Sequence, residues 1–155
     1  MNLTGIFIVL ALGAAVIGGL VVAHYEERPG VWYFVRDEDD ITGKGRSSGS
    51  IVINGKSLVI ECIDRKLLEL SFSGDPLTEP LFVKGNKFPT VVQVDTATAK
   101  WTGASYSERS ITFSINQAIL DRLRQASRIT LFGTQFPLDN GYLVVQAVGR
   151  ACRLD

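Results

Sequence analysis

Apolar and polar residues keep three different rhythms along this chain. From Leu3 to Ala23 they do not alternate at all: the run is apolar or small and carries no charge. Between Val31 and Ile115 short stretches alternate residue by residue, and after Asn116 apolar positions recur every three or four residues. The first run matches the ~20 residues a helix needs to cross a bilayer, the alternation predicts half-buried strands, and the last rhythm predicts amphipathic helices.

Val31 to Val35 reads as the first strand, rich in the aromatic residues that suit a sheet, between Pro29-Gly30 and the acidic run Asp37 to Asp40. Thr42 to Ser50, with its Gly and Ser, reads as a flexible loop. Ser50 to Ile53 and Lys56 to Ile63 flank Asn54-Gly55, a dipeptide that readily takes positive φ in a two-residue hairpin turn. In the second of these strands Leu58, Ile60 and Cys62 share one face, so Cys62 is expected to point into the core. Leu68, Leu70 and Phe72 continue the alternation, which predicts three consecutive antiparallel strands. Leu81 to Val83, Phe88 to Val94 and Ser110 to Ile115 read as further strands. Thr96 to Ser107 reads as irregular, with Trp101 as a core plug or strand-edge residue.

At Asn116 the period changes. Ile119, Leu120 and Leu123 form a helical stripe closed by Ala126, with Ser114 or Asn116 as cap and Asp121, Arg122 and Arg124 on the solvent side. Ile129 to Phe132 reads as the last strand. Tyr142, Val145, Val148 and Cys152 suit one face of a helix capped by Asp139 or Asn140, although Tyr142 to Val145 alone also suits a strand; helix is the reading adopted.

The chain thus divides into a transmembrane anchor or signal segment at 1–23, a linker at 24–30 and one mainly β domain at 31–155. The expected domain is an antiparallel β-sandwich with one or two short α-helices, and its length suffices for a single core. No Lys or Arg precedes the apolar run, and the run exceeds the roughly 7–15 residues of a signal-peptide core, which favours a retained anchor. Val21-Val22-Ala23 keeps cleavage near Ala23 open. The 16 basic and 16 acidic residues cancel, so no net field draws the domain to nucleic acid or to anionic lipid.

Cys62 and Cys152 are compatible with two buried thiols, a redox pair or one structural bridge. No CxxC is present, and lone cysteines in an oxidising compartment usually pair, so a bridge is expected. Closing a loop of about 90 residues stabilises by roughly 4–5 kcal/mol on the chain-entropy estimate.

Candidate chemistry is sparse. The one histidine, His24, lies at the boundary of the apolar run, which leaves Ser/His and Cys/His catalysis without an imidazole in the body and removes the usual zinc sets. Lys44 and Arg46 sit in a Gly/Ser stretch that lacks the order of a phosphate loop. Asp37 to Asp40 reads as a solvated acidic turn. Calcium at Asp37, Asp39 and Asp40 is the sharper alternative, but Ile41-Thr42 breaks the EF-hand order. A carboxylate pair drawn from this cluster with Glu61 or Asp95 is the remaining route to hydrolysis. No enzyme activity, metal or cofactor is therefore expected.

The landmarks fall in a particular order: Trp32, the acidic segment ending in Asp40-Ile41-Thr42, the strand Leu58-Val59-Ile60-Glu61-Cys62, an extended pair through Val94-Asp95, Phe113, the helix through Leu120 and Leu123, Ile129-Thr130-Leu131, and Phe136 leading to a helix that ends in Cys152. In this order the chain resembles the VasI-type accessory proteins associated with type VI secretion. More loosely, it resembles the invasion-associated locus B proteins and related prophage-borne exported domains. The resemblance implies a small β-sandwich in the bacterial envelope, with the strand cysteine near the C-terminal one. The expected function is a binding or accessory module held by a single pass in the inner membrane, with its domain in the periplasm, recognising another envelope protein. A periplasmic inhibitor or immunity protein against a toxin or lytic enzyme is the alternative, acting through the loop Gly43 to Ser50. Arg46, Ser47 and Ser48 in that loop, with Trp101 and Tyr106, are the candidate binding residues.

Overall fold

A computed structural model describes residues 28–38, 41–42, 44–74, 87–107 and 109–152. The apolar segment 1–23, the expected strand at 81–83 and the candidate calcium ligands at 39–40 lie outside the described residues. The elements are β1 (Trp32–Glu38), β2 (Gly45–Ile53), β3 (Lys56–Ile63), β4 (Leu67–Ser73), β5 (Lys87–Val94), β6 (Ala97–Ser107), β7 (Ser110–Ser114), α1 (Gln117–Gln125), β8 (Arg128–Leu131), β9 (Thr134–Pro137) and α2 (Tyr142–Ala151). Among the described residues the fold is mainly β: one nine-stranded antiparallel sheet in the order β1-β2-β3-β4-β7-β6-β5-β8-β9, with two short helices.

Local chemistry accounts for the turns that build it. Asn54 and Gly55 both take positive φ, 51° and 74°, which matches the right-handed twist of β2 and β3 in a tight hairpin. Asp64 and Arg65 repeat that geometry between β3 and β4. The Asp95 carboxylate accepts hydrogen bonds from the backbone N–H of Ser127 at 2.9 Å and of Arg128 at 3.1 Å, joining the β5–β6 turn to the start of β8. Asn116 caps α1 as expected, its side chain accepting from Ile119 N at 3.0 Å.

The sheet doubles over on itself, sandwich-like, because each strand buries only one face. In β3 and β4 the residues Leu58, Ile60, Cys62, Leu68, Leu70 and Phe72 point inward and are nearly or wholly inaccessible. Phe72 of β4 meets Phe136 of β9 edge-on at 6.0 Å and Phe132 of the β8–β9 turn at 5.1 Å, so the two ends of the sheet pack across one core. The first and last strands are joined where Trp32 Nε1 donates to the Pro137 carbonyl at 2.8 Å.

α2 lies against β1, β2 and β3. It approaches β2 closely because position 49 is glycine: a Cβ there would collide with Val144 of α2. Its C-terminal end is tied to β3 by the Cys62–Cys152 disulfide, with Cα atoms 5.3 Å apart and both cysteines fully buried. The expected bridge and C-terminal helix are thus present, the helix beginning at Tyr142 with Gly141 in place of an Asp139 or Asn140 side-chain cap.

Three expectations are corrected. Thr42 to Ser50 is not a flexible loop over most of its length, because Gly45 onward pairs in register with β1 and β3. Thr96 to Ser107 is a strand, β6, paired along β5 and β7. Arg124 is not simply solvent-facing: its guanidinium lies against Gly149 of α2, one amino group bonds Asp121 at 2.7 Å, and Nε is buried without a hydrogen-bond partner. β9, which no periodicity signalled, pairs with β8 through a turn at Phe132-Gly133.

Candidate functional site

The most exposed apolar part of the described sheet is its first strand. Among the described residues β1 pairs with β2 alone, which makes it an edge strand of the described sheet. Alternation sets Trp32 and Phe34 on the core face and Tyr33 and Val35 on the other. Trp32 is buried, but Phe34 is 37% and Val35 58% exposed. Phe34 stands opposite Gly49 in the register, and Gly49 is the position that Val144 covers, so α2 sits over β2 and leaves the edge beside it uncovered. Ile41, just beyond β1, is also exposed.

Polar residues flank this edge on the outer face. The register sets Asp37 opposite Arg46, whose Nη1 lies 3.6 Å from Glu61 Oε2. Glu61 stands directly opposite Glu69 on β4. Partial burial raises the Glu69 pKa above its ordinary value, the neighbouring Glu61 charge raises it further, and Arg46 offsets part of the shift. Beyond them runs a band of small hydroxyl side chains paired across strands, Ser57 with Ser73 and Ser71 with Thr112.

Further exposed apolar residues lie near the start of β1. The Trp32 indole abuts Gly141 so closely that a Cβ at 141 would overlap it. Val31 precedes Trp32 and Tyr142-Leu143 follow Gly141, and all three are 45–47% exposed.

The candidate binding residues do not form one site. Arg46 is exposed and Ser48 half-buried on the outer face of β2, opposite Asp37 and Val35 of β1, so these two belong to the β1 edge. Ser47 points the other way, is fully buried and faces Cys62, which corrects its assignment to a binding surface. Trp101 lies on β6 and packs edge-on against Phe113 at 5.8 Å, and Tyr106 is further along the same strand. β3, β4 and β7 separate them from β2. Asp95 acts in its turn as a structural acceptor, so among the described candidate acids it is Glu61 that has a carboxylate directly across from it.

Sequence reasoning read Val31 to Val35 as a strand but did not place that strand at an edge of the sheet. The signal was present: Phe34 and Val35 are consecutive, so they point to opposite faces, and a sheet with one buried face covers only one of them.

Among the described residues no group of three or more His, Cys, Asp or Glu side chains is placed to hold a metal ion, and no helix is long and apolar enough to cross a membrane. No family model matches the sequence, no curated protein matches it, and no solved structure matches the fold.

Proposed function

We propose that this chain is a membrane-tethered module of the bacterial envelope whose β domain recognises another protein by adding that protein's strand to the free edge of β1. The observation that carries the reading is an edge strand with apolar residues exposed on both faces, Phe34 on one and Val35 on the other. Backbone hydrogen bonding along such an edge supplies affinity, and pockets for alternate side chains supply selectivity. Arg46 and Asp37 add a charged flank that sets the register of the incoming strand.

The periplasmic placement rests on the apolar run at 1–23 and is supported by the buried bridge, since such bridges persist in oxidising compartments. A link to secretion or prophage functions rests on the landmark resemblance alone. The inhibitor alternative loses its inserting loop, because residues 45–50 are strand.

The test is site-specific photo-crosslinking of the full chain in its own membranes. A crosslinker at Val35 should give one discrete adduct with another envelope protein, a crosslinker at Gln135 on β9 should give none, and Phe34→Lys should abolish the Val35 adduct. Equal labelling from both positions, or an adduct indifferent to Phe34→Lys, would overturn the proposal.

A further inference from the structure

The apolar cluster at the root of β1 is separate from the edge described above, and its position relative to the leading apolar run identifies an occupant. Val31 follows Ala23 by about eight residues, so a fully extended tether holds it within roughly 28 Å of the end of that run. The tether therefore delivers to the bilayer surface the end of the domain that carries Val31, Tyr142 and Leu143. The same end carries the Asn54-Gly55 turn, whereas the Asp64-Arg65-Lys66 turn lies at the far end of β3.

We infer that Val31, Tyr142 and Leu143 dock into the interfacial layer of the membrane and set the domain's orientation. This rests on the reading of segment 1–23 as a retained anchor. The chemistry suits an interface: two aliphatic side chains enter the headgroup–acyl boundary, and a tyrosine keeps its hydroxyl in the wet layer while burying its ring. Tyr142 and Leu143 stand in the first turn of α2, and the Trp32 indole packed on Gly141 brings that turn to the start of β1, so the three residues share one end of the domain.

Three side chains bind a membrane weakly from free solution. A short tether changes that, because it converts docking into an intramolecular step at high effective concentration. Charge plays little part: Arg28 and Lys56, which adjoins the Asn54-Gly55 turn, are offset by Asp139, three residues before Tyr142, and by Glu26 and Glu27 in the linker, so docking should not require anionic lipid. The orientation that results lays the root of β1 against the lipid and leaves its far half, from Val35 to the turn at Ile41, facing the compartment where a protein partner approaches.

The experiment uses the full chain reconstituted into vesicles, with an environment-sensitive dye on a single introduced cysteine. The native cysteines are bridged and buried, so they do not compete for the label. Leu143→Cys should give a blue-shifted emission, a several-fold rise in intensity and quenching by shallow lipid-borne quenchers, in neutral and anionic vesicles alike. Lys66→Cys, in the β3–β4 turn, should stay water-like and unquenched, and Tyr142→Ser should weaken the Leu143→Cys signal. If the chain floats with vesicles but positions 143 and 66 give the same water-like signal, docking is wrong while the anchor stands, and the cluster is left to a protein partner. If the chain does not float with vesicles, the anchor reading fails and the inference with it.

Discussion

The two edges of this sheet are built on opposite principles. β9 is four residues long, ends in Pro137, and has its last carbonyl taken by the Trp32 indole. β1 is seven residues long, has no proline, and exposes Phe34 and Val35 on its two faces. Short length and a terminal proline keep an edge from recruiting other strands. A long apolar edge invites them. Among the described residues the molecule thus protects one end of its sheet and leaves an apolar edge at the other, and the two are joined at the root of β1, where Trp32 reaches Pro137.

The comparison breaks most severely if α2 is released. Replacing Cys62 and Cys152 together by alanine removes a cross-link spanning 90 residues of sequence, with an expected loss of about 4–5 kcal/mol. Urea denaturation measures it, and hydrogen exchange should show α2 and β1 losing protection before β9. A uniform loss across the domain would mean that the bridge does not act through α2.

Trp32→Phe keeps most of the buried ring but leaves the Pro137 carbonyl without its donor. The expected cost is about 1–3 kcal/mol, read from the shift in denaturation midpoint. Protection at β9 should fall along with that at the root of β1, because the hydrogen bond serves both edges.

The third perturbation sharpens the contrast. Val35→Lys on the open edge should change stability by no more than about 0.5 kcal/mol, since the side chain is largely exposed, yet it should abolish the partner adduct read from a crosslinker at Asp37 on the same strand. A stability loss several times larger would mean that Val35 is held by contacts within the domain and that the edge is not free.

The smallest effect concerns the face beside that edge. Glu69 faces Glu61, and its pKa in the folded state is raised above the ordinary 4.5. Protonation is therefore favoured by folding: the stability it contributes is present below the unfolded-state pKa and is lost as pH rises through the raised value. Glu69→Gln should be more stable than the parent at neutral pH by a few tenths of a kcal/mol, roughly the cost of like charges directly opposite in a sheet. The difference should close on acidification through the carboxylate range. Paired denaturation curves at neutral and acid pH measure both points.

Much of the strand pattern was legible before the fold was known. The strict alternation at Leu58, Ile60 and Cys62 matches the inward face of β3, Asn54-Gly55 forms the tight turn, and Asn116 caps α1. The candidate site was less legible. Ser47 and Ser48 looked equivalent in a polar stretch, but pairing with β1 and β3 turns one into the core against Cys62 and the other outward beside Val35. Arg124 looked like an ordinary surface charge until α2 came to rest on it at Gly149.

What the residues determine by themselves is local: which positions share a face, where the chain can reverse, where a helix can begin, and that two cysteines are available to pair. Tertiary structure decided which faces are covered, which strand is left at an edge and how closely α2 approaches. Periodicity reports only the direction a side chain takes from its own backbone. Whether another element meets it there depends on segments distant in sequence, and here those are α2 over Gly49 and Pro137 against Trp32.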